Sequence, residues 1–283
     1  MQIRIERDPE TGFCFGVKRA IDIVTEKARR LGTIETLGAI VHNRPVLQEL
    51  AGIGVRIAEG LDDIRGNVIA TSAHGVSPEV EDKLKIRHID VVSTVCPFVQ
   101  RAQMAAKRLA NAGFYVVVYG DANHPEVGGV LAWAEGRGIA TMDEDMVCRA
   151  MTSPYRIGIL SQTTQIPAYF TDFVKKVVEL CLTKDTEIRV IDTICHEIRR
   201  RQASAFELAG RVDSMLVVGG HNSANTSRLA GLCSRVTRAH LIETAEEIDP
   251  YWFENGHHVG ITAGTSTSED TIRSVIARLE TLS

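Results

Sequence analysis

The chain has 283 residues, 44% of them hydrophobic, enough for one large domain or two to three small ones. Its formal charge of -4, with 32 Lys and Arg against 36 Asp and Glu and no basic tail, excludes general nucleic-acid binding. The charged opening MQIRIERDPE lacks the apolar stretch of a signal peptide, and no apolar run approaches the roughly 20 residues of a bilayer span. A soluble, intracellular (cytoplasmic) protein without a membrane partner is expected.

In chain order, TGFCFGVKRA places Cys14 at a turn before a helix, and TLGAIVHNRP reads as a strand followed by Gly38 and His42. NVIATSAHGVS is a strand ending in small polar residues and His74. DVVSTVCPFVQRAQMAAKRLANAG passes from a β-branched run through Cys96 into helical spacing that Gly113 ends. FYVVVYGDANHPE is a short buried strand of the parallel-sheet kind leading to His124 and Glu126, and RIGILSQTTQI a further strand ending at Thr163 and Thr164. RVIDTICHEIRRRQASAFELAGRV then repeats strand, turn and helix, with Cys195 in the place of Cys96, Thr193 in that of Thr94 and Gln202 in that of Gln103. SMLVVGGHNSANT and HVGITAGTSTS close the series with Ser223, Asn225 and Ser266.

Counted from the three cysteines, Gly38, Gly120 and Gly219 fall at one register position, and His42, His124 and Ser223 at another. The repeat predicts an α/β fold of three pseudo-symmetric units with mainly parallel sheets, bounded at residues 1–96, 97–194 and 195–283. In such sheets ligands collect at the carboxyl ends of strands, where these loop residues lie.

Six cysteines without CxxC spacing suggest neither a disulfide framework nor a zinc ribbon. Cys148, Cys181 and Cys233 read as small buried hydrophobes. Cys14, Cys96 and Cys195 stand at helix starts near Lys18, Arg19, Arg101 and Arg199 to Arg201, a setting that favours thiolates of low pKa. A packing role gives no reason for cysteine at the same turn of three units. Three soft sulfur ligands suit an iron–sulfur cluster or zinc. Zinc would need a fourth ligand or an open position, and a cubane held by three cysteines leaves one iron without a protein ligand.

Taken singly, the loop histidines and the Ser-x-Asn stretch are ordinary surface groups, turns or helix caps. Together His42, His74, His124, Ser223, Asn225 and Ser266 offer donors without a Lys-rich patch, suited to a phosphate or diphosphate. Glu126, two residues after His124, is a candidate proton donor.

The stretches GFCFGVKRAI, VHN, SAHGVS, TVCPFV, HPEVGG, SQTT, DTIC, NSANTSRL and TAGTS, in that order from residue 12 to residue 266, resemble the 4-hydroxy-3-methylbut-2-enyl diphosphate reductase (LytB/IspH) family of isoprenoid synthesis. The resemblance implies a trefoil of three α/β domains around a 4Fe-4S cluster bound by Cys14, Cys96 and Cys195, with the apical iron open. It implies that His42, His74, His124, Ser223, Asn225 and Ser266 bind the substrate's diphosphate. It makes Glu126 the catalytic acid and Thr163, with Thr164 next to it, the substrate-pocket threonine, and counts His124 and Thr163 among the catalytic residues.

The implied reaction is the last step of the methylerythritol phosphate (non-mevalonate) pathway, a reductive dehydroxylation giving isopentenyl and dimethylallyl diphosphate. Electrons would come from a ferredoxin- or flavodoxin-like donor, and a monomer is expected. Two departures stand out. CHEIRRRQ replaces the family's small residue and threonines after the third cysteine, and Ala224 replaces a serine. A cluster-based redox sensor and a zinc hydrolase are the rival readings.

Overall fold

The computed structural model describes residues 3–41, 43–150, 156–182, 185–253 and 258–282. Short β-branched runs form its strands, and apolar stripes at helical spacing form the helices that cover them. Strand β1 (Arg4–Arg7) leads through Cys14 into α1 (Phe15–Leu31). Then come β2 (Ile34–Leu37), α2 (Arg44–Gly52), β3 (Val55–Ala58), β4 (Val68–Thr71), α3 (Pro78–Ile86) and β5 (Asp90–Val92), which leads through Cys96 into α4 (Pro97–Asn111). The pattern recurs as β6 (Tyr115–Tyr119), α5 (Pro125–Ala132), β7 (Gly138–Thr141), α6 (Glu144–Arg149), β8 (Arg156–Ser161), α7 (Pro167–Cys181) and β9 (Glu187–Val190), which leads through Cys195 into α8 (His196–Ala209). Last are β10 (Ser214–Val218), α9 (Ala224–Cys233), β11 (Arg238–Ile242), β12 (His258–Ala263) and α10 (Glu269–Glu280).

The strands of the described residues form three four-stranded sheets of one topology, ordered β3-β2-β4-β5, β7-β6-β8-β9 and β11-β10-β12-β1, and every pairing is parallel. Parallel neighbours cannot be joined by hairpins, so helices carry the crossovers. The expected α/β class with parallel sheets is what the chain adopts. The fourth strand of the last sheet is the N-terminal β1, paired from Arg4 opposite His258 to Arg7 opposite Ile261. Each of the three cysteines therefore follows the outermost strand of one sheet and opens the helix that leads to a central strand of another.

Contacts divide the chain into two compact units. One comprises Met1–Ile21, Ala39–Ile53 and His196–Ser283 and holds the β1-containing sheet; the other comprises Asp22–Gly38 and Gly54–Cys195 and holds the other two. In the first unit β10 is buried on both faces. Leu216 and Val218 pack with Ile272, Val275 and Leu279 of α10, while Met215 and Val217 pack with Leu208 of α8 and Leu229 and Cys233 of α9. In the second, Val116 and Val118 of β6 pack against Ala102, Ala105, Ala106 and Leu109 of α4 and Val127 and Val130 of α5. Gly120 follows β6 where a Cβ would stand 2.8 Å from the Cβ of Gln162 and 2.9 Å from Cγ2 of Val127. Only glycine lets these loops approach so closely.

One cysteine reading is corrected. Cys233 and Cys181 are buried, but Cys148 and Cys181 are joined in a disulfide, with 5.9 Å between their Cα atoms, that ties α6 to α7. The two lie 33 residues apart without a spacing motif, and the packing of α6 on α7 brings them together. Closing a loop of that length constrains the unfolded chain by about 2–4 kcal/mol. Cys148→Ser is expected to lower stability by about that amount in denaturant unfolding, and reduction of the wild-type protein to do the same.

Candidate active site

The second unit contributes a continuous line of polar groups. At the start of α5 the sequence Asn-His-Pro-Glu makes His124 the N-cap and places Pro125 in the first turn, where a missing N–H costs nothing. The Glu126 amide donates to Nδ1 of His124 at 3.2 Å, so in the neutral ring the proton sits on Nε2. The His74 ring meets that of His124 edge-on, with centroids 5.3 Å apart and planes at 89°. The His74 carbonyl accepts from Nε2 of Gln103 on α4 at 3.4 Å, and Gly75 turns the chain with φ +76°.

Glu126 is only 2% exposed, and both its oxygens are held by one residue. Oε1 accepts the Thr163 N–H at 2.6 Å, and Oε2 accepts the Thr163 hydroxyl at 2.9 Å. The Thr163 carbonyl in turn accepts the Cys195 N–H at 3.0 Å. A buried carboxylate is thus one residue away from a cysteine. In the same unit the Cys96 N–H donates to Ala73, next to His74, at 3.0 Å, and Cys96 caps α4 ahead of Pro97.

In the first unit the Cys14 N–H donates to the Thr265 carbonyl at 3.1 Å. Thr265 lies as far beyond β12 as Ala73 lies beyond β4 and Thr163 beyond β8, so one hydrogen bond anchors each of the three cysteines in the same way. Asn225 Nδ2 donates to the Thr265 hydroxyl at 3.4 Å, and Ser223 caps α9 through the Thr226 amide at 3.3 Å. Ser266, in the same loop as Thr265, is 5% exposed. His42 lies outside the described residues. Its neighbour Asn43 caps α2, accepting the Val46 N–H at 3.1 Å, a role signalled by Asn-Arg-Pro but not drawn from the sequence.

The Cys14 sulfur accepts the Val17 N–H at 3.4 Å, as expected at a helix start. Yet burial pushes its thiol up, against the low pKa expected. Desolvation is the largest influence and outweighs the Val17 amide and the nearby Arg201, while the Glu197 carboxylate pushes it further up. Sequence reasoning missed both of these charged neighbours. Arg201 Nη1 donates to the Gly12 carbonyl at 2.8 Å, and Glu197 Oε2 accepts the Phe15 N–H at 3.0 Å.

Among the described residues, no three His, Cys, Asp or Glu side chains are gathered as a metal site. No helix among them is long and apolar enough to cross a membrane.

The family profile of the LytB protein matches residues 5–280. The chain belongs to the LytB family. Its relatives include the 4-hydroxy-3-methylbut-2-enyl diphosphate reductase of Dehalococcoides mccartyi (strain CBDB1), 53% identical over 281 residues and covering 99% of both chains. The enzyme of that name from Geobacter metallireducens is 44% identical over 269 residues, covering 95% of this chain and 94% of its own. Two solved structures share the fold. One, described as (E)-4-hydroxy-3-methyl-but-2-enyl diphosphate reductase, the terminal enzyme of the non-mevalonate pathway, superposes with TM-score 0.72 at 35% identity over 99% of this chain and 100% of that one. The other, an E-1-hydroxy-2-methyl-but-2-enyl-4-diphosphate reductase from Plasmodium falciparum, superposes with TM-score 0.92 at 24% identity over 98% and 88%.

Proposed function

We propose that this LytB-family chain reduces 4-hydroxy-3-methylbut-2-enyl diphosphate, replacing the allylic hydroxyl by hydrogen to give isopentenyl and dimethylallyl diphosphate. Two electrons and two protons enter, and one water leaves. The observation that carries this reading is the buried Glu126, clamped by Thr163, whose carbonyl holds the Cys195 amide. Hydroxide is a poor leaving group, and a proton source held beside a thiol ligand is what its departure needs.

The chemistry of the donor set fits an iron–sulfur cluster. Cys14, Cys96 and Cys195 lie outside the disulfide, are half-buried, and have their amides anchored alike at helix starts. Cys14, Cys96 and Cys195 would hold a 4Fe-4S cluster, which would supply single electrons and Lewis acidity. The protein's own groups do the rest. Glu126 delivers the proton, Thr163 fixes the orientation of its carboxyl group, and His124 contributes an imidazole to the diphosphate contacts. His42, His74, Ser223, Asn225 and Ser266 complete the diphosphate contacts in this reading. Electrons arrive from a ferredoxin- or flavodoxin-like carrier.

The test is anaerobic. Brown, iron-containing protein should oxidise reduced methyl viologen only when the substrate is added. Colourless zinc protein would turn the reading to a hydrolase, and brown protein without turnover to a sensor.

A further inference from the structure

Glu197 and Arg201 lie one turn apart on α8, and both reach the strand-to-helix turn that carries Cys14. Glu197 accepts the amide of Phe15, the residue after Cys14. Arg201, only 6% exposed, donates to the carbonyl of Gly12, two residues before Cys14, and its buried Nε has no hydrogen-bond partner among the described residues. Cys14 is bracketed by a carboxylate on its helix side and a guanidinium on its strand side. Capping alone does not require a charge here. Phe15 is 52% exposed, and water could satisfy a first-turn amide at such a place.

We propose that Glu197 is a positioning residue that sets the reduction potential of the cluster held by Cys14, keeping it more negative than an uncharged side chain would, against the opposing charge of Arg201. The proposal rests on the iron–sulfur reading above. Adding an electron beside a fixed negative charge costs energy, and the cost grows where water is displaced, as it is in part around the half-buried Cys14. A more reducing centre favours electron transfer to the substrate, on which loss of the allylic hydroxyl depends. The bond to Phe15 also fixes the first turn of α1 and with it the direction of the Cys14 side chain.

The experiment is a dye-mediated redox titration, followed by electron paramagnetic resonance, of reconstituted wild-type protein and of Glu197→Gln and Glu197→Asp, with iron and sulfide measured in each. Glutamine keeps an acceptor for the Phe15 amide and removes the charge. The midpoint of Glu197→Gln should become more positive at wild-type cluster content, while Glu197→Asp keeps the wild-type midpoint. A full cluster with an unchanged midpoint in Glu197→Gln overturns the proposal. Should that variant fail to assemble a cluster, Glu197→Ser decides: a more positive midpoint supports the proposal and an unchanged one sinks it. Wild-type protein that takes up no iron and sulfide removes the iron–sulfur reading itself, and the proposal with it.

Discussion

Glu126→Gln should lower kcat by about 10²- to 10⁴-fold, the usual worth of a positioned proton donor, while KM changes little. The variant is close to isosteric. Its amide oxygen can still accept the Thr163 N–H now bonded at 2.6 Å, and its nitrogen can donate to the Thr163 hydroxyl now at 2.9 Å. Folding and diphosphate binding are therefore preserved, and what disappears is the proton. Thr163→Val makes a graded companion, since it removes the hydroxyl bond to Oε2 and leaves the backbone bond to Oε1. Its loss should be smaller than that of Glu126→Gln. Steady-state assays with reduced methyl viologen separate kcat from KM. A Glu126→Gln enzyme within a few-fold of wild type would mean that the proton enters from elsewhere.

The second large effect divides the six cysteines into two sets. Serine at Cys14, Cys96 or Cys195 should abolish the visible absorption of the cluster and reduce activity to background, because a hydroxyl is a poor ligand for iron in a sulfur-rich set. The amide bonds to Thr265, Ala73 and Thr163 belong to the backbone and survive the change, so circular dichroism should show the fold intact. Serine at Cys148, Cys181 or Cys233 should keep both colour and turnover, since these thiols serve the disulfide and the core. An iron-replete Cys96→Ser protein would remove that residue from the ligand set.

Much of this arrangement is legible in the sequence because its signals are local and repeated. The strand, cysteine and helix order around Cys96 recurs around Cys195, and β6 and β10 are apolar on both faces, as central parallel strands must be. The Glu126–Thr163 pair could be named from motifs alone, although only the fold shows that a single threonine holds both carboxylate oxygens. What escaped depends on distant partners. Three of the four residues of β1, Arg4, Glu6 and Arg7, are charged, the strand is part-exposed, and nothing local says that it pairs with β12 at the other end of the chain. The Cys148–Cys181 bond has no spacing motif. In CHEIRRRQ, Glu197 reads as a departure from the family pattern until its bond to Phe15 is seen, and Arg201 as a cation near Cys195 until its bond to Gly12 places it at the Cys14 turn. The low pKa expected at Cys14 failed because helix starts and cations are visible in sequence, whereas desolvation is a property of packing.

The most direct test of the central claim is the stoichiometry of a single reaction. With limiting 4-hydroxy-3-methylbut-2-enyl diphosphate and excess reduced methyl viologen under anaerobic conditions, two viologen radicals should be oxidised for each substrate consumed. The organic products should be isopentenyl and dimethylallyl diphosphate. Protein with an intact cluster that returns the substrate unchanged, or consumes it without oxidising viologen, would contradict the account.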